Sequence, residues 1–572
     1  MGNMCYTVEC NVQILISLLK AHGVRKIIAS PGTTNIAFVG SVQNDSFFEV
    51  YSSVDERSAA YMACGLAAEC GEPVVITCTG ATASRNYMPG LTEAYYRKLP
   101  VIAITGSHGE EKIGHLHSQV IDRSVAPNDV IKCSVCVTPI HSTVDEWSNS
   151  VKINQVLLEM KRFGGGPVHI NLVSSPGAAF TESKLPNVIP IQRCNLVSNA
   201  PQIPRGKVAV FVGSHRCFQK SLVLAINHFC EVNDAVVFCD KTSGYSGKYA
   251  VNFALVGAQY GYDSPCMNVD LLIHIGEVSG DTYTTQNLKP REVWRVCEDG
   301  ELRDHFKRLT WIFETTEESF FEYYAKGPAL RDSYLKFCKE EYQKFANLLP
   351  EFEFGNVWIA KRICNKIPEN SVIHLAIYNS LRSWNFFHLP ETVQSSCNVG
   401  GFGIDGPIST LLGASLANKE KLYFLVTGDL AFFYDMNALG NHHLGNNIRI
   451  LLVNNGKGVE FRKKDHPGSR FGDDADRFIA AGGHFGNKSR SLVKHFSEDL
   501  GFEYLSASDK LEFERAEELF LDARKREKPI LLEVFPDYSA EIHAVESIRS
   551  IAKEHKNAVE KMAGFAKRFF RG

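Results

Sequence analysis

Short apolar runs, rich in β-branched residues, recur along the chain between longer stretches of helical spacing. Strands buried on both faces read this way, because the helices that connect parallel strands cover both sides of the sheet. In the first third the runs are RKIIAS (25–30), FFEVYSSV (47–54), PVVITC (73–78), PVIAITG (100–106), CSVCVTP (133–139) and PVHINLV (167–173). A second set is KVAVFVG (207–213), AVVFCD (235–240), LLIHIGE (271–277), VWRVCED (293–299) and LTWIFE (309–314). The third is SVIHLAI (371–377), KLYFLVTGD (421–429), IRILLVNN (448–455) and KPILLEVF (528–535). Between the first two sets, Ser174 to Arg205 holds Pro176, Pro186, Pro190, Pro201 and Pro204, a density that opposes helix and sheet alike and predicts a linker. From about Ala329 to Glu353 the chain turns charged and helical, a second connector. The pattern predicts three doubly wound, Rossmann-like α/β domains, at 1–180, 200–345 and 350–572.

Composition narrows the class. A chain of 572 residues, 44% hydrophobic and 22% charged, can bury several cores and is not disordered. A formal net charge of −3 gives no sign of a nucleic-acid or membrane-surface partner. No apolar run reaches the roughly 18 residues that span a bilayer. The N-terminal MGNMCYTVEC reads as neither a signal peptide nor a myristoylation site, since Tyr6 stands where Ser or Thr is wanted. The 16 cysteines have no framework spacing, which suits reduced thiols in a cytoplasm. Cys133 and Cys136 form a lone CxxC on a predicted strand, where they point to opposite faces and complete no zinc site. The central domain lacks a full GxGxxG, which weakens a nicotinamide dehydrogenase reading and leaves an FAD site there unsupported.

In open parallel sheets ligands bind beyond the carboxyl ends of the strands. Polar groups follow the apolar runs at Ser30-Pro31-Gly32, Asp55-Glu56, Gly428-Asp429-Leu430 and Asn454-Asn455-Gly456. Gly428-Asp429 ends one predicted strand, a helix is expected from about Tyr434 to His443, and the next strand ends at Asn454-Asn455. Such a crossover returns both strand ends to one edge, so Asp429 and Asn455, with 25 residues between them, can meet. A carboxylate, an amide oxygen and a backbone carbonyl are hard donors that suit Mg²⁺ bridging a diphosphate. Singly, Asp429 reads as a helix N-cap and the asparagines as a turn; the spacing joins them. In the first domain, a helix from about Ser58 to Cys70, closed by Gly71, follows the strand ending at Val54, and Glu56 sits at the junction.

Here the chain resembles thiamine-diphosphate-dependent enzymes, whose pattern is Gly-Asp-Gly, some 25 residues, then Asn-Asn. GDLAFFYDMNAL followed by LLVNN is most similar to the menaquinone-pathway succinyl-enolpyruvyl-hydroxycyclohexene-carboxylate synthase family, which shares Leu430 in the third position. The resemblance runs nearly the whole length, in the order pyrimidine-binding, central and diphosphate-binding domain. It implies thiamine diphosphate and Mg²⁺ as cofactors, with Gly428, Asp429, Leu430, Asn455 and Lys457 at the diphosphate. Asp429 and Asn455 would hold the metal through side chains and Lys457 through its backbone oxygen. Ile404 in NVGGFGIDGPIST would be the apolar wedge beneath the cofactor, backbone near Phe402 would meet its 4′-amino group, and Ser380 would lie near the diphosphate. Glu56 would share a proton with the aminopyrimidine and so activate the thiazolium carbon. Pro31, Thr79 in TGATASRN, and Gln119 in HLHSQVIDR match further family positions, Gln119 as an active-site amide or else a surface one.

The implied reaction is decarboxylation of a 2-oxo acid with transfer of the acyl carbanion to a carbonyl or alkene acceptor, as a carboligase or synthase. A simple decarboxylase, an acetolactate-synthase-like enzyme and a non-catalytic cofactor-binding scaffold remain alternatives. The substrate arginines of the resembled family are missing. Thr34 stands in SPGTTN, ITGSHGEE lacks one, Asn398-Val399-Gly400 replaces Asn-Arg-Gly, and Trp384 replaces another. Fewer fixed cations imply a different or less anionic acceptor; Arg85 and Arg382 are the candidate substitutes. His108, His115 and His117 follow the fourth strand and could relay protons, whereas His442-His443 reads as structural within the crossover helix. FRKKDHPGSRFGDDADRF (461–478) could cover the site, and KEHKNAVEKMAGFAKRFFRG (553–572) reads as a tail helix. The superfamily builds its site from two protomers, which implies a homodimer or homotetramer.

Overall fold

Every apolar run named above contains a strand or part of one. The structure, a computed structural model, describes residues 5–569 apart from 97, 124, 195–199, 216–217 and 485–487. The chain divides into two compact units, 1–194 with 300–312, and 195–299 with 313–572.

The first unit is built on a six-stranded parallel sheet in the order Glu49–Ser52, Lys26–Ala29, Val74–Cys78, Val101–Ser107, Val168–Val173, Ser134–Val137. Its central strands carry apolar residues on both faces, as helices on both sides require. On one face Leu15, Leu18 and Leu19 of the helix Cys10–Ala21 pack with Ile27, Val75 and Ile102. On the other, the small residues Ala59, Ala60, Ala63 and Ala67 let the helix Glu56–Cys70 lie close against Ile28 and Ile76. That helix begins at Glu56, two residues before its expected start, because Asp55 accepts the Arg57 N–H at 2.8 Å and opens the first turn. The proline-rich 174–205 is not purely a linker. Phe180–Glu182 pairs antiparallel with Tyr6–Thr7, and Gln192–Cys194 forms another short strand; residues 195–199 lie outside the described residues.

Two sheets lie in the second unit. In one, Ala250–Val251, Val236–Cys239, Val208–Val212, Asn268–Ile275 and Lys289–Cys297 run parallel side by side in that order. The other has the order Gln394–Ser396, Val372–Leu375, Tyr423–Gly428, Ile448–Val453, Ile530–Val534, Glu503–Ala507, all parallel. Numbered along the chain, this order is 2-1-3-4-6-5, the same as in the first unit. The pattern missed the two edge strands, Gln394–Ser396 and Glu503–Ala507, because their polar, part-exposed residues carry no apolar run.

The crossover after Asp429 differs from expectation. Its helix is Asp429–Asp435, continued as a 3₁₀ stretch Met436–Gly440, so it starts five residues before Tyr434. Gly428 is extended and serves as the N-cap, which lets Asp429 be the first helical residue. His442-His443 accordingly sits in the turn before the next strand, not in the helix. The expected connector helix appears as Ser333–Ala346, and the tail continues Tyr538–Phe569, its side chains beyond 557 outside the described residues. No helix among the described residues is long and apolar enough to cross a membrane.

Candidate active site

The strand Tyr423–Gly428 delivers Asp429 to the carboxyl edge of the sheet in the second unit, one strand from Asn454-Asn455. Asp429 is 4% exposed. Its Oδ1 accepts the Leu430 N–H at 2.8 Å and its Oδ2 accepts the Gly456 N–H at 2.6 Å, the contact that ties the two strand ends together. Burial, opposed by these donors, pushes its carboxyl up to about 7, and the neighbouring Glu541 adds to the rise. The two asparagines divide their work. Asn454 turns inward and donates to Glu533 at 2.8 Å, whereas Asn455 faces the cleft. The Lys457 ammonium is bound to Asp476 and lies over the Tyr538 ring, while its carbonyl accepts the Val459 N–H at 3.0 Å and keeps a second lone pair.

Ser380, Phe402, Ile404, Gly428, Asp429, Leu430, Asn455 and Lys457 all line one cleft of about 400 Å³. The structure thus brings together the eight positions of the second unit that the resemblance places at the cofactor. Its walls hold residues the sequence did not disclose. Tyr378 (φ 66°) and Phe402 (φ 54°) both adopt left-handed backbone, a strained state for aromatic residues, and the Tyr378 hydroxyl donates to the Phe402 carbonyl at 3.1 Å. Asn356 and Asn379 are fixed from behind by Glu541, whose Oε1 accepts the Asn356 N–H at 2.5 Å and whose Oε2 accepts from the Asn379 side chain. Glu460 and His466 complete the wall, so the front of the 461–478 loop does border the cleft. No sequence signal marks Asn356 or Glu541, because the fold carries them there from distant segments.

The positions where the resemblance leads one to expect arginines have other roles in this structure. Trp384 is fully buried, its indole N–H donating to Asn356 at 3.1 Å. Thr34 is buried too, its hydroxyl 2.5 Å from that of Thr79. Arg382 is bound to Glu460, which also accepts from Lys463 at 2.7 Å. Arg85 is exposed and donates to the Asp122 carbonyl at 3.0 Å.

In the first unit, the loops after successive strands converge. A Cβ on Gly32 would stand 2.7 Å from the Thr79 Cβ, and one on Gly80 2.9 Å from the Gln119 carbonyl, so Pro31-Gly32, Thr79-Gly80 and Gln119 form one rim. Ala81 (φ 55°) and Gln119 (φ 60°) on that rim are also left-handed, and the Gln119 side chain is exposed. Glu56 opens its helix half-buried and accepts from the Asn86 amide at 3.4 Å. It lies near Cys78 and Tyr87, raising both beyond what burial does. His115 and His117 are exposed and His108 half-exposed, so the three form no buried relay in this chain. Cys133 and Cys136 are pushed up to about 11, chiefly by burial, and no metal-holding group of His, Cys, Asp or Glu occurs among the described residues.

The donor set around Asp429 fits a magnesium diphosphate. A nearly dry carboxylate whose neighbouring charge is another carboxylate needs a cation, and the amide and carbonyl oxygens beside it are the partners Mg²⁺ prefers. Comparisons agree. Residues 11–126 match the thiamine pyrophosphate enzyme N-terminal TPP-binding domain. Fold, cleft and domain match together define a thiamine-diphosphate- and Mg²⁺-dependent enzyme that decarboxylates a 2-oxo acid and joins the remaining acyl unit to an acceptor. The chain is 31% identical over 562 residues to the 2-succinyl-5-enolpyruvyl-6-hydroxy-3-cyclohexene-1-carboxylate synthase of Bacteroides fragilis, covering 93% of this chain and 96% of that protein. For the synthase of Phocaeicola vulgatus the figures are 33% over 551 residues, 93% and 96%, and for that of Flavobacterium psychrophilum 28% over 549 residues, 91% and 95%. It belongs to the 2-succinyl-5-enolpyruvyl-6-hydroxy-3-cyclohexene-1-carboxylate synthase family.

Proposed function

We propose that Asp429, Asn455 and the Lys457 carbonyl hold Mg²⁺ and, with Gly428, Leu430 and Ser380, the diphosphate of the cofactor, while Glu56 is the activating carboxyl. The observation that carries this reading is the convergence of eight residues singled out in the sequence, from four separated stretches of chain, on one cleft around a carboxylate that burial raises to about 7. Bound thiamine diphosphate supplies the electron sink for decarboxylation. The remaining work falls to the chain's own residues. Ile404 presents an apolar side chain to the middle of the cleft, and the Phe402 carbonyl, already held by Tyr378, offers its second lone pair to an amino group. Glu56 would hold a proton at the aminopyrimidine nitrogen, Pro31 and Thr79 would contact that ring, and Gln119 would meet substrate.

The name of these relatives describes a product with a succinyl group on a cyclohexene carboxylate that also bears an enolpyruvyl group. A succinyl unit implies a dicarboxylic 2-oxo acid as donor. In this chain Trp384 and Thr34 are core residues and Arg382 is neutralised by Glu460. We therefore assign it a 2-oxo acid donor and an acceptor bearing fewer carboxylates than that cyclohexene. We also propose a homodimer or homotetramer, two protomers completing each site, acting in the cytoplasm; buried free thiols such as Cys230 and Cys364 are consistent with a reducing compartment.

Mass spectrometry of products tests the reaction. The protein is incubated with thiamine diphosphate, Mg²⁺ and a panel of 2-oxo acids, with and without aldehyde, ketone and cyclohexene acceptors. A ligated product with loss of CO₂ is expected. Aldehyde release with every acceptor would make it a simple decarboxylase, and no CO₂ from any acid would leave a binding scaffold.

A further inference from the structure

A second polar cleft, of about 280 Å³, lies in the same unit at the carboxyl end of the strand Val236–Cys239, lined on another side by residues of 388–395. It shares no lining residue with the cleft around Asp429. Lys241, Lys248, Lys339 and His388 face it. Lys241 is 7% exposed, and its ammonium has no carboxylate partner within salt-bridge distance among the described residues. Its backbone is fixed, the N–H donating to Asn385 at 3.2 Å. Lys339 lies on the helix Ser333–Ala346, and Lys248 reaches Asp332 at 3.4 Å. Burial, then Lys241 and Lys339, lower His388 to about 4, which places both ammonium groups within electrostatic reach of its ring.

Two carboxylates also border the cleft, and neither forms an ion pair with Lys241, which Asp240 reaches only through space. Asp240 is turned to its own loop, with Oδ1 accepting the Thr242 and Ser243 N–H groups at 2.6 and 3.1 Å and Oδ2 accepting from Ser279 and the Asp281 N–H at 2.6 and 3.0 Å. Glu391 is exposed at the rim. A buried ammonium without a direct ion-pair partner is costly, burial here outweighing the pull of Asp240, and an incoming anion reduces that cost. The cleft holds point-charge ammonium groups and a neutral imidazole but no guanidinium fork, which favours a phosphoryl group over a carboxylate held in two-pronged fashion.

We propose that this cleft is a binding site for a small phosphorylated anion, separate from the cofactor site, with Lys241 as its buried anchor and Lys339 and His388 as further contacts. The protein, saturated with thiamine diphosphate and Mg²⁺ and again without them, is titrated with inorganic phosphate. Amine acetylation at each lysine is then read by mass spectrometry, with succinate as the carboxylate arm. Saturable protection of Lys241 and Lys339 by phosphate, and weaker protection by succinate, is expected under both conditions. Lys241→Met should weaken phosphate binding roughly tenfold or more, and Lys339→Gln several-fold, cofactor affinity being unchanged in both. If Lys241→Met does not fold, the exposed Lys339→Gln decides. Labelling of Lys241 indifferent to phosphate, succinate protecting as well as phosphate, or a folded Lys339→Gln that binds phosphate like the parent would each overturn the assignment. Because the readout is local to these lysines, failure of cofactor binding at Asp429 would not be mistaken for failure here.

Discussion

Asp429 is a carboxylate held where water is scarce, and its two backbone donors do not offset the desolvation. A divalent cation does, so Asp429→Asn should weaken Mg²⁺-dependent cofactor binding at least roughly 100-fold, the upper end of what losing a supporting residue of a metal site costs. Calorimetry of the cofactor with and without Mg²⁺ checks it; a variant that binds as the parent does would remove Asp429 from the site. Glu56→Gln keeps size and hydrogen bonding but cannot share the proton, and should slow turnover by roughly 10²–10⁴-fold with cofactor affinity little changed. Steady-state kinetics beside a cofactor titration separates the two effects. Both residues were legible because each stands at a strand end with a recognisable neighbour pattern. Glu541 was not: an acidic residue near the start of a long helix reads as a dipole partner, and nothing local says that it lies 185 residues from the Asn356 N–H it caps.

Among elements, strands were the most readable, since runs such as VVIT and ILLV admit little else between two layers of helix. Edge strands and the crossover helix were not, because a polar edge is indistinguishable from a loop and Gly428-Asp429 mimics a turn while starting a helix. The helix Tyr538–Phe569 anchors the cleft through Glu541, which is 1% exposed. Glu541→Ala would leave the Asn356 N–H and the Asn379 amide without their partner, costing about 1–3 kcal/mol and loosening the cofactor. Thermal unfolding with and without cofactor measures both. The strand Val168–Val173 carries a fully buried imidazole: His169 lies 2.7 Å from Thr105 and 2.8 Å from Ser134, and burial, then Arg123, lower it to about 3. A folded-state value below the unfolded one near 6.5 means that the folded protein binds fewer protons. Its contribution is therefore present above pH 6.5 and lost as pH falls toward 3. Denaturant titrations across that range should show His169→Gln losing less stability on acidification than the parent.

At the scale of the molecule, the first and last sheets along the chain share one strand order, 2-1-3-4-6-5, although no repeat is visible in the sequence. Apolar periodicity reports only that a strand is covered on both faces, and many side chains satisfy that requirement, so the order persists after residue identity has drifted. Assembly is likewise absent from the pattern; analytical ultracentrifugation should find a dimer or tetramer, and a monomer that still turns over would contradict a site completed by two protomers.

Trp384 ties specificity to packing. With no solvent exposure and its indole satisfied by Asn356, it supports the wall that holds Asn379 and Ser380. Placing an arginine there would insert an uncompensated guanidinium into packed interior and vacate the space of the indole, a loss of roughly 3–5 kcal/mol. A cation at this position and an intact wall exclude one another, so the discrimination between acceptors is kept by the scaffold itself.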